Sequence, residues 1–252
     1  MDNALLVGLS RQVSLRRELD VIANNIANLN TTGFKGESVM FEQFLDPTAR
    51  HEYFPGNDRR IAFVLDRATL QDFSQGPLQR TEAPLDVAID GPGFFAVQSQ
   101  NGERYTRAGN FHLNPQGQLV TNNGHPVLGA GGPIVFEPTD SNVAIAADGT
   151  VSATNSAGQV GERGKLRMVT FANPTQLIAQ GDNLWSAPAS MTPQIAPPTT
   201  RSVQGSLEKS NVHAVKEMNR MLEVTRAYST ISNMQQRTDE LRRKAIEKLA
   251  EV

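Results

Sequence analysis

Leu15-Arg16-Arg17-Glu18-Leu19-Asp20-Val21-Ile22-Ala23-Asn24-Asn25-Ile26-Ala27-Asn28-Leu29 places apolar side chains at Leu15, Leu19, Ile22, Ile26 and Leu29, in alternating steps of four and three. That period lays one apolar row along a single face of an α-helix, with Arg16, Arg17, Glu18 and Asp20 between its members. A row this narrow suits a coiled-coil contact with one or two partner helices better than burial against a sheet. Asn30-Thr31-Thr32-Gly33 ends the pattern, and Gly33 reads as a left-handed cap. The adjacent amides Asn24 and Asn25 are poor helix formers. Either they fix the register of the helix contact or they lie on a solvated face.

The same chemistry returns at the other end of the chain, from about Ser210. Val215, Met218 and Leu222, then Val224, Tyr228 and Ile231, return to one face, and Leu241, Ala245 and Leu249 continue it. Ser210 or Asn211 is the expected N-cap. The mixed charges Arg237, Asp239, Glu240, Arg242, Arg243 and Lys244 read as a solvated face or as bridges between neighbouring helices. Neither helix has a core beside it in sequence. Two apolar rows at opposite ends are most simply satisfied by packing together and against copies from other molecules.

Between the helices the period changes to two and turns become dense, which predicts a β-rich domain over 81–206. Leu85-Asp86-Val87-Ala88-Ile89 alternates, and Phe95-Ala96-Val97-Gln98 and Arg104-Tyr105-Thr106 flank the hairpin signal Asn101-Gly102. Asn114-Pro115-Gln116-Gly117, Asn122-Asn123-Gly124 and Asp148-Gly149 supply further turns, and Leu166 to Phe171 reads as another strand. Residues 34–80, with Asp46-Pro47 and Phe54-Pro55-Gly56, read as an extended connection. The expected fold is α+β: a mainly antiparallel β domain flanked by N- and C-terminal coiled-coil-forming helices that pair with each other. Its parts are 1–33, 34–80, 81–206 and 207–252.

Composition narrows the chemistry. With 252 residues, 38% hydrophobic and 20% charged, the chain can bury a sizeable core and is neither disordered nor collagen-like. A formal charge of −2 gives no field for gathering nucleic acid. The lack of cysteine removes disulfides, thiolate metal sites and cysteine nucleophiles. The start, Met1 to Leu9, carries no basic leader, and its apolar run passes into Arg16-Arg17-Glu18, unlike a cleavable secretory signal. No segment is long and apolar enough to span a bilayer, so no membrane insertion is expected.

Gly91-Pro92-Gly93-Phe94-Phe95-Ala96 matches a dinucleotide-binding pattern in outline. That mechanism needs a helix N-terminus, whereas Phe94 to Gln98 reads as a strand and Pro92 removes a backbone donor, so a tight turn is expected instead. Asp86 and Asp90 share one strand face but are spaced wide for an acid/base pair, and read as polar positions on an exposed face. His51, His112, His125 and His213 are scattered over different elements without ligand spacing. No catalytic residue, cofactor or metal is expected.

Several of these runs also resemble one family. Ala23-Asn24-Asn25-Ile26-Ala27-Asn28-Leu29-Asn30-Thr31-Thr32-Gly33-Phe34-Lys35 is similar to the N-terminal signature of the flagellar rod, hook and hook-associated axial proteins. Leu85 to Phe95 and Tyr105-Thr106-Arg107-Ala108-Gly109-Asn110-Phe111 resemble the rod and hook β-domain. Gly205-Ser206-Leu207-Glu208-Lys209-Ser210-Asn211-Val212 resembles the start of its C-terminal helix, and Arg226-Ala227-Tyr228 the aromatic turn within it. Size leaves the two larger rod proteins, and the start Met1 to Ser10 with the lack of an inserted segment after Phe44 resembles the proximal-rod type more, with the distal-rod type second. Ser229 to Val252 is unusually charged for the family.

The resemblance implies a structural subunit of the basal-body rod, which polymerises through its terminal helices into a torque-transmitting shaft. It implies export through the flagellar type III apparatus, and as partners the proximal and distal rod subunits and copies of the chain itself. The residues expected to make the axial helix contacts are Leu15, Leu19, Ile22, Asn25, Ile26, Leu29, Val215, Met218, Leu222, Tyr228 and Ile231. The competing classes are a wall-associated hydrolase, which needs convergent carboxylates, and a β-domain adhesin, which leaves both terminal rows unexplained.

Overall fold

A computed structural model describes residues 2–46 and 61–250. The chain divides into two compact units: residues 1–27, 37–71 and 213–252 form one, and residues 28–36 and 72–212 the other.

The first unit contains both long helices, α1 (Asp2–Ala27) and α2 (Ala214–Ala250), and an antiparallel hairpin of β1 (Glu37–Asp46) and β2 (Ile61–Gln71). The helices run antiparallel to each other: Glu18 bonds Arg220 and Asn25 bonds Glu217. The hairpin packs on α1 as well. The stretch expected as an extended connection therefore carries ten- and eleven-residue paired strands. Their signal was weak because Met40 and Phe41 straddle a register shift, which interrupts strict alternation. Pro47 and Phe54-Pro55-Gly56 lie outside the described residues.

The second unit is built on a six-stranded antiparallel sheet. In spatial order its strands are Ile178–Ala179, Trp185–Ser186, Gly102–Thr106, Phe94–Ser99, Met168–Thr170 and Gln194–Ile195. A three-stranded meander, Ser141–Ile145, Thr150–Thr154 and Val160–Lys165, and short two-stranded pairings complete it. The run Phe94-Phe95-Ala96-Val97 does not alternate because both faces of its strand are covered. Successive side chains point to opposite faces. Phe95 and Val97 join one core with Val87, Ile89, Leu119 and Val151. Phe94 and Ala96 join another with Tyr105, Phe171 and Trp185. Phe95 meets Phe111 edge-on at 5.1 Å, and Phe94 meets Trp185 at 5.7 Å.

The expected turn at Gly91-Pro92-Gly93 joins the strand Val87–Asp90 to Phe94–Ser99, with Gly91 at φ 108°, and no helix follows it. The Asn101-Gly102 hairpin forms as read, pairing Ser99 with Gly102. The proline-rich return over 187–200 contributes the short edge strand Gln194–Ile195.

Gly109 sits where no side chain fits: a Cβ there would lie 1.7 Å from the Val87 carbonyl oxygen, beside the Val87 N–H to Gly109 carbonyl bond of 2.9 Å. Gly109→Ala is expected to lower the stability of this unit by about 1–3 kcal/mol through forced backbone displacement. Urea denaturation followed by emission of the buried Trp185 checks this.

Candidate functional site

Along α2, Glu217, Met221, Val224, Tyr228, Ile231, Gln235, Thr238 and Arg242 are buried or half-buried, in unbroken steps of four and three. Along α1 the corresponding row is Ser14, Glu18, Val21 and Asn25, with Ile22 buried beside it. Small residues let the helices approach: a Cβ on Gly8 would come within 2.9 Å of Gln235 Nε2. The Ser14 hydroxyl is satisfied inside its own helix by the Ser10 carbonyl at 2.9 Å.

The residues expected on the axial rows separate into three groups. Ile22 and Asn25 are buried, and Tyr228 and Ile231 are half-buried on the inner row of α2. Leu15, Leu19 and Ile26 are half-buried, and Leu29 lies past the end of α1, in the second unit. Leu15 lines a cleft of about 400 Å³ with Phe41, Val64, Val224 and Ala227, so the apolar side of α1 is shared between α2 and the hairpin. Val215, Met218 and Leu222 stay 69%, 49% and 55% exposed. At about 100° per residue they lie roughly 140° around α2 from its inner row. On α1, Leu9 and Val13 are exposed as well.

Asn25 is the amide that the spacing left open, and its environment is now clear. Its Nδ2 donates to the Glu37 carbonyl at 2.8 Å and its Oδ1 accepts from the Glu37 N–H at 2.9 Å. The side chain thus pairs with the backbone at the first residue of β1 as a neighbouring strand would, and it also reaches Glu217 at 3.4 Å. Its neighbour Asn24 is exposed.

The roots of both helices lie in the second unit, where sequence reasoning expected only caps. α1 ends at Ala27, not at Gly33. Gly33 is left-handed, φ 68°, for a different reason: a Cβ there would meet the Arg107 carbonyl carbon at 2.4 Å. α2 begins at Ala214, and neither Ser210 nor Asn211 caps it. Ser210 Oγ accepts from the Val212 N–H at 3.2 Å. Asn211 Oδ1 accepts from the Gly36 N–H at 2.8 Å, and its Nδ2 donates to the Asp72 and Ser74 carbonyls.

Between these ties lies a buried ionic group that periodicity could not reveal. Glu208 is 1% exposed, Lys35 1% and Arg107 4%. Glu208 Oε1 accepts from Lys35 Nζ at 2.6 Å and from the Gly76 N–H at 2.9 Å, and Oε2 accepts from Arg107 Nη1 at 3.1 Å. Lys35 also donates to the Ser74 carbonyl at 2.7 Å, and Arg107 to the Gly91 carbonyl at 2.9 Å. The Arg107 guanidinium stands 5.4 Å from the Phe94 ring centroid. Burial pulls the Lys35 ammonium below its ordinary range, against the opposing pull of Glu208. The Glu208 carbonyl accepts from the Gly33 N–H at 2.8 Å. Lys35, Arg107 and Glu208 each lie within one of the runs that resemble the family, 23–35, 105–111 and 205–212.

The chemistry of an apolar groove in the second unit is unlike that of a hydrolase. It measures about 950 Å³ and is lined mainly by apolar groups, among them Leu166, Met168, Ile195, Pro197 and Pro198. Its carboxylate, Asp148, is held down at about 2 by Lys165 at 2.8 Å and by Thr150, so it has no proton to donate near neutrality. Asp90 is exposed, and Asp86 is half-buried and bridged to Asn110. Among the described residues no group of His, Asp and Glu could hold a metal ion.

Comparison with known proteins places this geometry. Residues 5–35 match the family described as flagella basal body rod protein, 88–153 the flagellar hook protein FlgE/F/G D1 domain, and 203–248 the flagellar basal body rod FlgEFG protein C-terminal. A flagellar basal-body rod protein FlgF of Caulobacter vibrioides is 44% identical over 100% of both chains. The chain belongs to the flagellar basal-body rod protein family. The rod-family chain is also 35% identical to a FlgG of Bacillus subtilis, over 96% of this chain and 97% of that one. It is 34% identical to a FlgF of Mesorhizobium japonicum, over 94% of each. The FlgF resemblance runs the full length, in keeping with the proximal-rod type expected from the start of the chain and the lack of an inserted segment after Phe44. Members are structural components of the basal-body rod, not enzymes, and this chain takes its place among them.

Asn25→Ala is expected to strip partners from both backbone groups of Glu37 and to cost about 1–3 kcal/mol. Thermal unfolding followed by helical circular dichroism checks it.

Proposed function

We propose that this rod subunit polymerises through its terminal helices, with α1 and α2 pairing as a coiled coil and their outward faces meeting neighbours. The observation that carries this reading is the apolar row Val215, Met218 and Leu222, exposed among the described residues, on a helix whose opposite face is already occupied. Steps of four and three along the inner row support the coiled-coil geometry. Neighbours of the same chemistry, other rod subunits and further copies of this chain, would cover the outer row. The contact is then heterologous and extends the assembly instead of closing it. Leu15, Leu19, Ile22, Asn25, Ile26, Tyr228 and Ile231 would hold the pair together, and Leu29 would pack at its root.

The shaft would carry torque through many such contacts, with no chemistry required. Passage through the flagellar type III apparatus would be eased by a helix pair whose contact rows include polar residues, because such a pair opens at low cost. Among the described residues no helix is long and apolar enough to cross a membrane.

The double variant Met218→Glu/Leu222→Glu tests the reading. Both positions are exposed in the single chain, so the helix content and melting of the monomer should stay within about 0.5 kcal/mol of the original. Assembly, followed by sedimentation velocity over a concentration series and by restoration of motility in cells lacking the chain, should be lost. Assembly that persists in the variant, with normal motility, rules the outer row out as an interface.

A further inference from the structure

The Lys35–Glu208–Arg107 group has no part in catalysis, and two hydrophobic cores already stabilise the unit that holds it. A carboxylate wedged between two buried cations is a costly way to fill space. Its position shows what it accomplishes. The segment that follows α1 and the segment that precedes α2 are far apart in sequence, yet three ties join them. The Gly33 N–H donates to the Glu208 carbonyl, Lys35 to the Glu208 carboxylate, and the Gly36 N–H to Asn211 Oδ1. Arg107 and the Gly76 N–H fix the same carboxylate from the body of the β-rich unit.

We propose that Glu208, with Lys35, Arg107 and Asn211, forms a root clamp that holds the two helix roots side by side and thereby sets the register in which α1 and α2 meet. Without the clamp the helices are the ends of one long loop, and their pairing must close it. With the clamp each helix grows from a fixed root, and only a few residues separate the tie at Gly33 from Ala27 and the tie at Asn211 from Ala214. The helices can then open and re-form without losing register. Glu18 meets Arg220 and Asn25 meets Glu217 because the roots leave no other alignment. Glu208 is a positioning residue: it touches neither helix contact and acts through the chain that leads into each.

The inference rests on the helix pair and not on polymerisation, and the absence of native cysteine makes it directly testable. In the full chain, Glu18→Cys is combined either with Arg220→Cys, in register, or with Ala227→Cys, about two turns away. A short bis-maleimide is applied, and intramolecular cross-linking is read in the monomer fraction. With the clamp intact, the in-register pair should react at least tenfold more than the displaced pair. Adding Lys35→Met/Glu208→Gln removes one buried charge of each sign and leaves Arg107 as the single buried cation of the group. The ratio should then fall at least threefold while Trp185 emission shows the β-rich unit still folded. An unchanged ratio in that folded variant overturns the proposal, because the helices then set their own register. If the double variant does not fold, Asn211→Ala decides. It removes the outer tie at a half-buried position, and it should lower the ratio at least twofold with Trp185 unchanged, while no decrease overturns the proposal. Because the readout is confined to monomers, failure of the polymerisation reading would leave these outcomes intact.

Discussion

A single carboxylate, Glu208, organises the region from which both terminal helices emerge. Its oxygens take bonds from Lys35, Arg107 and the Gly76 amide, and its backbone carbonyl takes the Gly33 amide. Bringing an ion out of water costs several kcal/mol, and only close partners offset it. A charge buried at that cost tolerates no slack in its surroundings. Four stretches of chain, around residues 33–36, 74–76, 107 and 208–211, must therefore arrive together. Arg107 meets part of the cost imperfectly: its Nε is buried without a hydrogen-bond partner. Specificity of arrangement, more than raw stability, is what such a group supplies.

The two units follow different physics. The β-rich unit has a strand covered on both faces, edge-on aromatic pairs and backbone approaches so close that Gly33 and Gly109 admit no side chain. The helical unit has a thinner core. Its rows include Ser14, Asn25, Gln235 and Thr238, and clefts of about 400 and 530 Å³ flank the Glu18–Arg220 pair. An isolated helix gains little until an apolar face is covered. Here α2 has one face covered by α1 and a second, Val215–Met218–Leu222, that remains open. Such a surface is suited to completion by a neighbour in an assembly that grows by addition.

Asn25 shows how one side chain reconciles those demands. An amide in a helical contact row weakens the helix, yet it presents a donor and an acceptor spaced to match a backbone peptide. By bonding both groups of Glu37 it does for β1 what another strand would do, beside a sheet that has two strands among the described residues. Neither of the readings open from sequence, register element or solvated face, included this role. The partner is a backbone twelve residues away, in the hairpin that packs on α1, and local spacing carries no information about it.

The sequence by itself determined what depends on local periodicity and turn chemistry. Both helices, the antiparallel strands around Asn101-Gly102, and the turn at Gly91-Pro92-Gly93 follow from neighbours within a few residues, and the family followed from runs such as Ala23 to Lys35. On α1 periodicity picked out Leu15 and Leu19 and passed over Ser14 and Glu18 beside them. A helix that serves both a partner helix and a hairpin has two half-apolar sides, and periodicity reports only the more hydrophobic of them. The hairpin β1–β2 was missed because a register shift breaks its alternation. Tertiary structure alone decided that Lys35, Arg107 and Glu208 meet, that Gly33 serves close approach and not a helix end, and that Val215, Met218 and Leu222 face outward. Each depends on segments far apart in sequence occupying the same place, and charge pairing and burial act through space, where residue spacing along the chain leaves no trace.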